Sequence, residues 1–226
     1  MNFYEKILNN NQYLKTVHKI ENIKFITGGK WDWEHGLGHY QRVSNYVKKI
    51  LLQLGANERT IELGMTAALL HDIGLSKGDK IDHAIESSKL FTNFIDESDI
   101  TNEEREILRQ AIYDHSKGND IQSFVGLALV LADKLDVTYH KTEFSSIQDE
   151  MNQEIQKIKK VDIQITDTCL TVFYETSNDF NENILNNWNK AITIPKKVAD
   201  YLGKKYIFII NDRKVDYDKI LKKERQ

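Results

Sequence analysis

Ile61-Glu-Leu-Gly-Met-Thr-Ala-Ala-Leu-Leu-His71-Asp72 is apolar almost all the way round a helix and then ends on two ionisable residues. A helix of that kind belongs at the centre of a helical body, not on its surface. It stops at Gly74. Upstream, between His35 and Leu54, the residues His39, Val43, Tyr46, Val47, Ile50, Leu51 and Leu54 share one face at helical spacing. Downstream, His83, Ser87, Leu90, Phe91, Phe94 and Ile95 mark another amphipathic helix. Thr101 with Glu104 has the form of a capping box for a helix that carries Leu108, Ala111, Ile112 and His115. A long helix over residues 121–139 holds an apolar run from Phe124 to Ala132 and then Asp133. Nearer the start, residues 3–27 have a looser helical spacing interrupted by Asn9-Asn10-Asn11, and Gly28-Gly29 breaks the chain.

The pattern changes near residue 155. Val161-Asp-Ile-Gln-Ile165 and Leu170-Thr-Val-Phe-Tyr174 alternate, with Thr166-Asp-Thr168 placed to turn a hairpin. Residues 180–202 read as helix in two pieces broken near Pro195, the single proline. Tyr206 to Ile210 reads as a short buried strand. The expected architecture is mainly α: a helical bundle over residues 1–154, then a small α+β appendage over residues 155–226 with a few antiparallel strands.

Composition narrows the function. At 226 residues with 40% hydrophobic side chains the chain can bury a real core. A formal net charge of -3 gives no electrostatic reason to expect a nucleic-acid polymer or an anionic membrane as partner. No segment approaches the roughly 20 apolar residues of a membrane span. The first residues lack a signal-peptide pattern, and Cys169 is alone, so no disulfide framework is present. The cytoplasm is the expected location.

The polar residues that interrupt apolar faces carry the chemistry. They are His39, His71, Asp72, His83, His115 and Asp133. Burying each without a partner costs several kcal/mol. One divalent ion, or a pair, would satisfy them together, and mixed imidazole and carboxylate donors suit iron, manganese, cobalt, nickel or zinc, with magnesium also considered. Taken singly, a buried histidine reads as a hydrogen-bonded core residue, and Asp133 could pair with Lys134. Six such residues on five helical faces resist that explanation. His35-Gly-Leu-Gly-His39 has two histidines four apart but lacks the glutamate of a zinc-protease helix. Trp31 and Trp33 could stack a base, though core packing explains them as well.

Three segments in order, His39-Tyr-Gln-Arg-Val43, Ala68-Leu-Leu-His71-Asp72-Ile-Gly74 and Leu131-Ala-Asp133-Lys-Leu-Asp136, resemble the HD superfamily of metal-dependent phosphohydrolases. The resemblance covers about residues 30–145 and implies an HD-type helical bundle. It implies that His39, His71, Asp72 and Asp133 ligate a first metal. It places His83 and His115 where dinuclear members hold a second, with Asp72 bridging. Ile112-Tyr-Asp-His115-Ser-Lys-Gly118 is similar to the matching segment of dinuclear branches, including bacterial dinucleoside-polyphosphate hydrolases. The Glu-Asp pair of the guanosine-tetraphosphate hydrolases and the Gly-Tyr-Pro motif of the cyclic-dinucleotide branch are both absent.

The expected activity is metal-dependent hydrolysis of a small phosphorylated substrate, in particular a nucleotide. Asp72 positions the ions and Arg42, three residues after His39, clamps phosphate. Asp136 reads either as an acceptor behind the metal ligands that handles the water proton or as a surface ion pair. Lys77, Lys80, Lys117 and Lys134 are cations available to phosphate or to solvent. Two other readings stay open: a nucleotide- or metal-sensing domain without turnover, and an interaction module whose appendage docks a partner or forms a homodimer contact.

Overall fold

The computed structural model describes residues 2–23, 33–78, 80–118, 121–142 and 149–221. Gly28-Gly29 and Trp31 lie outside them. The described residues of Met1–Phe25 and His35–Asp133 form one compact unit, and those of Ile26–Glu34 and Lys134–Gln226 form another. This division by contacts falls at residue 133, upstream of the change in sequence pattern near residue 155. Among the described residues no helix is long and apolar enough to cross a membrane.

The first unit is helical. Helices α1 (Phe3–Leu8) and α2 (Asn11–Glu21) are separated by the asparagine run. Asn10 caps α2 by accepting from the backbone of Gln12 and Tyr13, so the polar break is a helix start. Helix α3 (Leu37–Gln53) buries His39, Tyr40, Val43, Ser44, Val47, Ile50 and Leu51, the stripe read from the sequence. Its N-cap is Gly36, which leaves His35 ahead of the helix. Helix α4 (Glu58–Leu70) is the buried centre. Gly64 sets how closely α3 approaches it: a Cβ there would lie 2.6 Å from Leu51 Cδ1 and 2.7 Å from Val47 Cγ1. A short 3-10 turn, Ile73–Lys77, comes next.

Helix α5 (His83–Leu90) runs into a second 3-10 turn at Phe91–Phe94, and α6 (Asn102–Asp114) has the capping box expected of Thr101 and Glu104. Helix α7 (Phe124–Leu135) is shorter than the sequence suggested but carries the apolar run, and residues Val125 and Leu127 to Ala132 are buried.

The second unit holds α8 (Glu150–Gln156) and a four-stranded sheet, β1 (Ile158–Ile165), β2 (Cys169–Thr176), β3 (Lys205–Ile210) and β4 (Arg213–Lys214), in that spatial order. β1 and β2 form the hairpin about Thr166-Asp167-Thr168. The β3–β4 pair is antiparallel as well, as expected of this appendage, whereas the β2–β3 pair is parallel. The reason is α9 (Lys190–Tyr201), which returns the chain to the starting end of the sheet. Pro195 sits inside α9 without breaking it; burial of Ala191, Ile192, Ile194, Val198 and Ala199 holds that helix together. Helix α10 (Tyr217–Leu221) closes the described chain. Trp33 packs edge-on against Trp188 at 5.1 Å and donates Nε1–H to Asn152, so this half-buried side chain is engaged in packing within the unit.

One ion pair ties two helices of the first unit. Arg59, on α4, donates Nε–H to Glu104 Oε1 at 2.6 Å and a second N–H to Oε2 at 2.9 Å. Arg59 and the Thr101 cap hold the Glu104 carboxyl down, at about 2. Its contribution is complete above the ordinary value of 4.5 and is lost as pH falls towards about 2. Arg59 is partly solvated, so Glu104→Gln should cost about 1 kcal/mol at neutral pH. In urea denaturation the gap between wild type and variant should narrow below about pH 4.5; a gap independent of pH would contradict the assignment.

Candidate metal centre

Helix ends supply most of the site. The last carbonyls of a helix have no partner within it, and α4 ends in the core. Two of those carbonyls are satisfied by side chains: Ala68 O accepts Nδ1–H of His71 at 2.8 Å, and Leu69 O accepts the hydroxyl of Tyr13 at 3.0 Å. His71 is itself the C-cap of α4. The device recurs at α6, where the C-cap His115 gives Nδ1–H to Ile112 O at 2.6 Å. His83, the first residue of α5, gives Nδ1–H to Lys80 O at 2.6 Å. A carbonyl only accepts, so in each ring Nδ1 carries a proton, and in the neutral ring Nε2 carries a lone pair. Metal-binding histidines are oriented by this kind of backing contact.

Those lone pairs converge on Asp72. Its Oδ2 lies 3.4 Å from His71 Nε2 and 3.8 Å from His39 Nε2. Asp133 Oδ1 closes that side, 3.5 Å from His39 Nε2 and 3.8 Å from His71 Nε2. The other oxygen of Asp72, Oδ1, faces His83 Nε2 at 3.2 Å and His115 Nε2 at 3.3 Å. One carboxylate thus presents an oxygen to each of two donor sets.

The donor chemistry fits a cation. His83 Nε2 and His115 Nε2 are 3.1 Å apart, yet both rings have their protons committed at Nδ1. Two facing lone pairs repel unless a proton or a metal ion sits between them. The buried Nε2 of His71 has no hydrogen-bond partner among the described residues, an arrangement that costs free energy in a protein core. Burial pushes the His71 ring down to about 3, so it stays neutral and able to ligate. Burial opposes ionisation of Asp72, but the imidazoles that face it, His71 first and then His115, His35 and His83, hold its carboxyl well below the usual range. Neutral imidazoles around ionised carboxylates are what a divalent transition metal requires. Three overlapping donor groups could each hold an ion: His35, His39 and Asp72; His39, His71 and Asp133; and His71, Asp72 and His115.

His39, His71, Asp72, His83, His115 and Asp133 are therefore brought together. So is His35, which in the sequence appears only as half of an incomplete protease pattern. Its Nδ1 lies 3.0 Å from Asp72 Oδ2. The i, i+4 spacing to His39 was the signal, although the two do not share a helix.

The other predicted residues are placed differently. Arg42 is half-buried one turn along α3 from His39, and Lys77 and Lys117 are exposed. Lys134 and Asp136 belong to the second unit and are 9% and 1% exposed. That burial removes the surface ion pair for Asp136 and the solvated role for Lys134. Lys80 enters the site through its carbonyl, which orients His83.

Gly74 fixes where His83 stands. A Cβ at this position would collide with the His83 carbonyl oxygen and lie 2.5 Å from Ser87 N. Both atoms are backbone and cannot swing aside.

A family model described as HD domain matches residues 36–169 of the chain. No curated protein matches it.

Gly74→Ala should force α5 away from the turn after Asp72, costing ~1–3 kcal/mol by thermal denaturation. It should also weaken metal uptake; unchanged stability and uptake would contradict the close approach. In metal analysis of the purified protein, His115→Ala should lower the content from about two ions per chain to about one. An unchanged ratio removes His115 from the ligand set.

Proposed function

This chain belongs to the HD domain family, and on that premise we propose that it is a metal-dependent phosphohydrolase acting on a nucleotide or similar small phosphorylated molecule. The observation that carries the reading is Asp72, with Oδ2 turned to His39 and His71 and Oδ1 turned to His83 and His115. His39, His71, Asp133 and Asp72 would hold one divalent ion. His83, His115 and Asp72 would hold a second. The imidazole-rich set favours iron, manganese, cobalt, nickel or zinc over magnesium.

Bound divalent ions of this kind acidify a coordinated water and shield the charge on phosphoryl oxygens. The protein's own groups do the rest. Among the described residues Asp72 and Asp133 are the carboxylates facing these histidines, too little negative charge to neutralise two divalent ions. The loaded centre is thus net positive and attracts a phosphate. The backing carbonyls of Ala68, Lys80 and Ile112 keep three imidazoles in the ligating tautomer. Arg42, one turn from His39, is assigned the clamp on a phosphoryl group, for which a guanidinium is well shaped. Lys77 and Lys117, exposed on the segments after Asp72 and His115, are the further cations available to a polyphosphate. A single cysteine fits a cytoplasmic setting.

A sensing domain without turnover would use the same donors to bind an ion but would release no phosphate. A phosphate-release screen over nucleotides separates the readings. Protein loaded with manganese or cobalt should turn over at least one nucleotide and lose activity to a chelator. His71→Ala and Asp133→Ala should each lower kcat by roughly 100-fold or more. Activity unaffected by either substitution would contradict the catalytic assignment.

A further inference from the structure

His35 lies one residue outside the span matched by the family model and ahead of the first turn of α3. Three observations set it apart from the other histidines of the centre. Its contact with Asp72, at 3.0 Å, is shorter than those that the carboxylate makes to the other four histidines, at 3.2, 3.3, 3.4 and 3.8 Å. It is a hydrogen-bonding contact, with the ring nitrogen directed at Oδ2. The ring also presents its opposite nitrogen: His71, His83 and His115 turn Nε2 inward with Nδ1 tied to a carbonyl, whereas His35 turns Nδ1 inward.

A carboxylate needs such a hold. The terminal torsion of aspartate is broad, so its own rotamer does not decide which oxygen faces which histidine pair. Each carboxylate oxygen has two lone pairs, and an N–H on one leaves the other directed at the metal side. We propose that His35 is a positioning residue that donates Nδ1–H to Oδ2 of Asp72, holding the carboxylate with Oδ2 towards His39 and His71 and Oδ1 towards His83 and His115. His35 thereby sets the division of the donors into two sets before any ion arrives. The proposal rests on the metal-binding reading of this centre.

The test is calorimetric titration of the full-length protein with cobalt(II), using variants that move the donor. His35→Ala removes it, His35→Asn places an amide N–H close to the position of Nδ1, and His35→Gln carries it one bond too far. Loss of a group that orients a ligand lowers metal affinity by roughly 10- to 100-fold. That loss is expected for His35→Ala and His35→Gln, with His35→Asn close to wild type, and circular dichroism should show all four proteins folded alike. Wild-type affinity in His35→Ala would overturn the proposal. So would equal loss in His35→Asn and His35→Ala, which would make His35 a ligand and not a donor. A wild-type protein that takes up no cobalt would instead sink the metal reading on which it rests.

Discussion

A carboxylate with its two oxygens facing two sets of imidazoles is the constraint around which the first unit is arranged. Asp72 is 3% exposed, and an ion taken that far from water is costly unless it is compensated. Its surroundings supply His35, His39, His71, His83 and His115 within 3.0 to 3.8 Å. Several of these rings have given their only proton to a backbone carbonyl. Where those rings are neutral, the groups facing the carboxylate include lone pairs, an electrostatic problem that a bound cation would resolve.

Helix termination and the orientation of the imidazoles are the same event in this protein. Helices α4 and α6 each finish on a histidine whose Nδ1–H satisfies a carbonyl one turn back, so the need to cap a buried helix end also selects the tautomer. Tyr13 takes the adjacent carbonyl of α4, which couples α2 to the same point. Gly74 then allows α5 to approach the turn after Asp72 within backbone contact, bringing His83 up to the opposite oxygen. Substitutions at Tyr13 or Gly74 thus act on the centre through geometry, without touching a donor atom.

The donor set was legible because each member interrupts an apolar face, and polar groups are seldom placed there without a partner. The Thr101–Glu104 cap was legible because its two contacts are local. His35 escaped because it belongs to no periodic segment; its role depends on where the chain enters α3. Other features that the sequence left open or misplaced have the same root. Alternation identifies β2 and β3 as strands, but their parallel pairing depends on the crossover through α9. Pro195 signals a break, and tertiary burial of the surrounding helix overrides it. The division between the two units falls inside α7, where composition does not change.

If Asp72 stands between two metal positions, both ions can be located without reference to activity. Anomalous diffraction at the absorption edge of manganese or cobalt, from crystals of the loaded protein, does this directly. Two peaks are predicted, one between Asp72 Oδ2 and the His39–His71–Asp133 side and one between Oδ1 and the His83–His115 side. A single peak, or none at Asp72, would contradict it.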